Sequence, residues 1–94
     1  MRPVHIRITD VLDLHTFRPE EVPDLLEDYI AECIRLGYRS VRVVHGKGSG
    51  VLRRRVQSLL RRHPQVRTIR DAPLEAGGWG ATIVELGEPL SPAA

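Results

Sequence analysis

Val41-Arg42-Val43-Val44-His45-Gly46-Lys47-Gly48-Ser49-Gly50-Val51-Leu52 passes from a short β-branched run, through a glycine-punctuated loop, into a new apolar pattern. Val41 to Val44 has the composition of a strand. From Val51 or Leu52 to Arg62, the residues Leu52, Val56, Leu59 and Leu60 recur at helical spacing, and His63-Pro64 stops the run. A strand that feeds a helix in this way belongs to an α/β unit. Ligands of open α/β sheets bind beyond the carboxyl ends of strands, so residues 45–50 are where chemistry is first sought.

A second polar motif ends an earlier apolar stretch. Val4, Ile6 and Ile8 alternate with His5, Arg7 and Thr9, which predicts a strand or extension over residues 1–9 with a break at Thr9-Asp10. Leu12-Asp13-Leu14-His15 resumes the alternation. If its leucines face the core, Asp13 and His15 leave on the other side. Between the two motifs, Val22, Leu25, Leu26, Tyr29, Ile30 and Cys33 form one apolar helical stripe opposite Asp24, Glu27, Asp28 and Glu32. That helix begins between Pro19 and Pro23, with Pro23 in its first turn, and stops at Gly37. Val66 to Arg70 and Ala81 to Leu86 are predicted strands, joined by a loop built on Gly77-Gly78-Trp79-Gly80.

The order is β-α-β-α-β-β. Right-handed crossovers then give a two-layer α/β (α+β) sandwich, a mixed four-stranded sheet with both helices on one face. Ninety-four residues support one domain, read as 10–86, between the extension at 1–9 and a flexible tail at 87–94. No apolar run is long enough to cross a bilayer, and the first residues lack a signal-type apolar core. The lone Cys33, at an apolar helix position, fits a buried residue in a reducing, cytoplasmic setting.

The net charge of +2 conceals a segregation. Residues 1–32 hold three basic and eight acidic side chains; 33–70 hold eleven Lys or Arg and no acid; 71–94 hold four acids and no base. A high-GC coding sequence would account for arginine outnumbering lysine, but not for 38 residues without a carboxylate. A polyanionic partner, most simply nucleic acid, accounts for it.

The motifs allow more than one reading. Gly46, Gly48 and Gly50 serve a tight strand-to-helix turn, or let backbone amides and Lys47 approach an anion at a helix N-terminus, with Ser49 beside them. The run is neither a Walker A loop nor a dinucleotide fingerprint. Asp13 and His15 brace a loop, or act as an oriented general base and its partner, with His45 at the neighbouring strand end. One carboxylate and two histidines could also take a divalent metal, Mg²⁺ or Mn²⁺; no other cofactor is indicated. His5 reads as a solvated strand residue and His63 as a helix-terminal imidazolium. Trp79 is either a stacking platform for a base or core. Arg53 and Arg54 face outward on the second helix, where phosphate contact or simple solvation would each place them.

Taken together, Leu-Asp-Leu-His, the strand leading into His-Gly-Lys-Gly-x-Gly-x-Leu-Arg, and the late Gly-Gly-x-Gly-Ala resemble the small MutS-related (Smr) domain over about residues 10–86. The resemblance implies a fold similar to the C-terminal domain of translation initiation factor three. It also implies nucleic-acid binding and, in some members, endonuclease activity on DNA or RNA. Its motif residues fall on Asp13 and His15, on His45, Gly46, Lys47, Gly48 and Gly50, and on Gly77, Gly78 and Gly80. Where the family usually continues the first motif with Gly, this chain has Thr16.

Three functions follow as expectations. One is a structure-preferring endonuclease that holds phosphate on the glycine loop and the basic helix, with Asp13, His15 and His45 performing acid–base chemistry. Another is a non-catalytic DNA- or RNA-binding module acting in repair, recombination or RNA and ribosome quality control. The third is a protein-interaction domain using the acidic face at 20–32. No membrane partner is expected, and a monomer suffices for the first two.

Overall fold

The computed structural model describes residues 8–87. Its strands are β1 (Val11–Asp13), β2 (Ser40–Val44), β3 (Val66–Asp71) and β4 (Ala81–Leu86), and its helices are α1 (Val22–Arg35) and α2 (Val51–Arg62). The sheet order is β1-β2-β4-β3. β1 runs parallel to β2, while β4 is antiparallel to both β2 and β3. The last strand therefore slots between two earlier ones, and the sheet is mixed, as expected. The strand anticipated from Val4 and Ile6 lies outside the described residues. Ile8 and Thr9 belong to no strand; their carbonyls accept the hydroxyls of Tyr38 at 3.2 Å and Tyr29 at 2.6 Å.

Both helices cover one face. Val22, Leu26, Tyr29, Ile30 and Cys33 of α1 and Val56 and Leu60 of α2 join Leu14, Val41, Val43, Val84 and Leu86 in one core cluster. Burial holds the Cys33 thiol as a thiol by pushing its pKa up. The α1 stripe lies at i, i+3, i+4 spacing because those positions share one side of a 3.6-residue helix. Pro23 in the first turn needs no intrahelical N–H partner. At the other end Gly37 adopts φ +88°, and Tyr38 and Gly37 amides donate to the Cys33 and Ile34 carbonyls at 2.9 and 3.0 Å. That pair of bonds is a Schellman stop, which requires a left-handed residue where glycine stands.

The register places the motifs. Leu12 pairs with Val43 and Asp13 with Val44. Val43 is buried against the helices, so Leu12 and Leu14 face the core while Asp13 lies on the open face. The same parity sends His45 to the helix side, in line with Val41 and Val43.

Ile30, fully buried between the layers, makes the core's dependence on packing measurable. Ile30→Ala should destabilise the domain by about 3 kcal/mol, read from the urea midpoint at constant slope; a loss below about 1 kcal/mol would mean that the layers close over the cavity.

Candidate functional site

β1 and β2 end side by side, with the Leu14 amide donating to the Val44 carbonyl at 2.9 Å. Beyond that bond the two motifs diverge. After β1 the chain makes a turn in which the Phe17 amide donates to the Leu14 carbonyl at 3.0 Å, leaving His15 and Thr16 exposed at its tip. Asp13 Oδ1 accepts the His15 backbone N–H at 3.0 Å and lies 2.9 Å from His15 Nδ1. Since a carboxylate oxygen only accepts, Nδ1 carries the proton and Nε2 presents its lone pair outward. The backbone N–H, and after it the imidazole, hold the Asp13 carboxyl below the ordinary aspartate range.

After β2, the His45 and Gly46 amides both donate to the carbonyl of Gly80, at 3.1 and 2.8 Å. Gly46, Gly48 and Gly50 all have positive φ (+81°, +40° and +88°), which folds the loop back over the head of α2. A side chain on Gly80 would come within 3.1 Å of Lys47 Cγ and 3.4 Å of its amide nitrogen. The two glycine motifs are thus one structure, each glycine-rich segment leaving room for the other. Among the described residues, the amides of Lys47, Gly48 and Ser49 find no backbone acceptor, and that of Val51 has only the Ser49 hydroxyl at 3.4 Å. Pro19, His45, the loop itself and Val51, Leu52, Arg53 and Arg55 line a depression of about 340 Å³ there.

His45 is not the companion base that its position in the sequence suggested. It is 8% exposed, and both ring nitrogens are engaged: Nδ1 with the Gly46 carbonyl at 3.0 Å, Nε2 with Thr82 Oγ1 at 2.8 Å. The carbonyl can only accept, so Nδ1 donates; Nε2 accepts the Thr82 hydroxyl proton. Thr82 Oγ1 in turn accepts from Gln57 Nε2 at 3.1 Å, and that amide also reaches Asp71 Oδ1 at 3.2 Å. Every group in this buried chain is satisfied with His45 neutral, and the ring anchors the loop from below. Thr82, Gln57 and Asp71 were not singled out in the sequence. The one available signal was that Gln57 interrupts the apolar face of α2 next to Val56.

The cations divide into two sets. Arg53 Nη2 lies 2.8 and 2.9 Å from the two Asp71 oxygens, and its guanidinium holds that carboxyl below the usual range. Arg53 is therefore committed within the fold. Lys47, Arg54, Arg55, Arg61 and Arg62 have no carboxylate within ion-pair distance among the described residues. Arg54 leans over the loop, its Nη1 3.2 Å from where a Gly50 side chain would begin. His63 Nδ1 accepts the Gln65 amide at 3.1 Å, so the ring closes the turn after α2 as an acceptor, not as the helix-terminal imidazolium anticipated. Gly77 and Gly78 take positive φ in the loop before β4, and Trp79 is 45% exposed.

Among the described residues no three His, Cys, Asp or Glu side chains are grouped to hold a metal ion. Asp13 and His45 leave opposite faces of the sheet, so the expected ligand trio is not assembled. No helix there is long and apolar enough to cross a membrane.

The Smr domain family model matches residues 12–87. The chain is 47% identical over 75 residues to Endonuclease MutS2 of Halalkalibacterium halodurans and 43% identical to that of Helicobacter pylori. Each match covers 80% of this chain and 10% of the relative, so the chain spans about a tenth of the length of the curated relatives it matches. The crystal structure of the Smr domain of Thermus thermophilus MutS2 superposes with a TM-score of 0.80 at 34% identity, covering 85% of this chain and all of that one. YdaL, a stand-alone small MutS-related protein from Escherichia coli, gives 0.72 at 26% identity, with 84% and 65% covered.

The Asp13–His15 contact makes a pH prediction. A carboxyl depressed in the folded chain contributes stability above its unfolded pKa, and that contribution is lost as pH falls through the folded value. In His15→Ala the backbone N–H remains while the ring is gone. The Asp13 carboxyl should then titrate higher than in the parent yet still below an ordinary aspartate, as followed by carboxyl-carbon NMR. An unmoved titration would show that the ring adds nothing.

Proposed function

The chain belongs to the Smr domain family, and from that premise we propose that it binds nucleic acid and cleaves phosphodiester bonds as a structure-preferring endonuclease. The observation that carries this reading is that two adjacent parallel strands end together, one in an exposed, hydrogen-bonded carboxylate–imidazole pair and the other in a loop whose amides have no backbone acceptor. Phosphate suits the loop. Its amides, the N-terminus of α2 and Lys47 offer partial and full positive charge at short range, and Arg54 extends that charge along the helix. The relatives named as endonucleases support the same assignment for this domain.

His15 is the acid–base group. Its outward Nε2 takes a proton from the water that attacks phosphorus, the P–O bond to the leaving oxygen breaks, and the imidazolium can return a proton to that oxygen. Asp13 holds the ring and stabilises the imidazolium. His45 positions the loop from beneath and does not exchange protons with substrate. No step is assigned to a metal.

Incubating the chain with nicked, branched, single-stranded and duplex DNA and with RNA, in EDTA or with Mg²⁺ or Mn²⁺, tests the reading. The double variant Asp13→Asn/His15→Ala should lose cleavage by at least about a hundredfold, the scale of a general base, while affinity changes less than about threefold. Undiminished cleavage would remove the pair from the mechanism. Binding without cleavage by the parent chain would leave the non-catalytic binding module in place.

Phosphate contact also sets a salt dependence. Lys47→Gln should lower the slope of log affinity against log salt by about 1, and weaken all sequences alike. An unchanged slope would take Lys47 out of the interface.

A further inference from the structure

Among the described residues, four large hydrophobic side chains are exposed: Leu36, Val51, Leu74 and Trp79. Three of them line the depression at the glycine loop or belong to the segment bonded to that loop. Val51 lines the depression directly, and Leu74 and Trp79 belong to the segment whose Gly80 carbonyl holds the loop. Leu74 is 85% exposed and Trp79 45%. Neither is part of the core, and the function above gives neither a role.

This segment is built to hold its shape. Two short 3₁₀ turns, Leu74–Ala76 and Gly78–Gly80, follow one another. The Ala76 and Gly78 amides donate to the Pro73 carbonyl at 2.8 and 3.0 Å, and the Gly80 amide donates to Gly77 at 3.0 Å. From the open face of the sheet, Arg42 Nη1 donates to the Ala76 carbonyl at 2.9 Å. An exposed indole on a loop bonded in this way is pre-organised, so little is lost in ordering it on binding. It stands immediately before Gly80, whose carbonyl accepts the His45 and Gly46 amides. An apolar, aromatic surface and an anion-holding loop thus adjoin, and a nucleotide has the two matching halves.

We propose that Trp79, with Leu74 beside it, is a stacking subsite for an unpaired nucleobase, making the preferred substrate a nucleic acid with a single-stranded segment at the phosphate held by the glycine loop. The proposal rests on the nucleic-acid reading above and names its substrate class. Bases inside a continuous duplex are stacked on their neighbours and cannot offer a face to the indole; bases in a single strand, flap or gap can. Stacking needs only a π-face, so the subsite tolerates any base and does not itself separate DNA from RNA.

Trp79 is the chain's one tryptophan, so its fluorescence reports on this subsite alone. Oligo(dT), oligo(U) and a continuous duplex are titrated against the parent chain, Trp79→Ala, Trp79→Phe and Lys47→Gln, with anisotropy of the labelled nucleic acid as the second readout. Single strands should quench the indole and the duplex should not. Trp79→Ala should weaken single-strand binding about tenfold and duplex binding less than about twofold, with Trp79→Phe intermediate. The dT and U arms show which sugar is accepted. Single-strand binding that is neither quenched nor weakened in Trp79→Ala overturns the subsite; if Lys47→Gln still weakens binding, the nucleic-acid reading survives and the apolar surface serves something else, such as a protein partner. Failure of every nucleic acid to bind overturns both.

Discussion

One carbonyl oxygen, that of Gly80, accepts the amides of both His45 and Gly46, and the architecture of the site depends on that double bond. It fastens the end of β2 to the start of β4 where the two chains would otherwise part. So close an approach would press a Gly80 side chain against Lys47, and the loop turns back at once, which Gly46 does with positive φ. The loop's next amides are thereby lifted off any protein acceptor and held together at the head of α2. An anion site made of backbone depends on such a constraint, because free amides in a slack loop would pair with water or with one another.

Beneath the loop, His45, Thr82, Gln57 and Asp71 form a continuous hydrogen-bonded chain from β2 through β4 and α2 to β3. Each member is satisfied by the next, and so a polar run is tolerated at the edge of an apolar core. Removing Thr82 would leave the buried Nε2 of His45 without its donor, which costs more than the bond itself contributes. Asp71 is also the first acid after the acid-free stretch, and it neutralises Arg53. Around the loop, the positive charge left to face a partner is accordingly that of Lys47 and the other arginines of α2.

The elements themselves were legible because their signals are local. Ala81–Leu86 and the β-branched Val41–Val44 read directly as strands, and Gly37 and His63-Pro64 marked helix ends by chemistry that works at short range. The strand order was not legible. Nothing in residues 66–86 says that β4 inserts between β2 and β3. The role of His45 was half legible. Two-residue alternation from Val41 and Val43 already sends it inward, but its partner Thr82 lies 37 positions away, and only the antiparallel register brings the two within bonding distance. Trp79 likewise depended on tertiary context, since Gly-Gly-Trp-Gly fits a buried or an exposed indole equally well.

The division between holding and cutting in the proposed function follows from where each motif sits in the sheet. The glycine loop extends from β2, an interior strand bonded on both sides, and is anchored to Gly80 and, through His45, to Thr82 of β4. Asp13 and His15 extend from β1, three residues long and paired with β2 alone among the described residues. Their contact is local, two residues apart in an exposed turn whose tip carries Thr16. The fold therefore does little to enforce their geometry, and they do little to stabilise the fold. A domain arranged in this way can lose or regain its acid–base pair by changes at an edge while the phosphate-holding centre stays intact. On the proposed function, binding is built into the sheet and cleavage is attached to its margin.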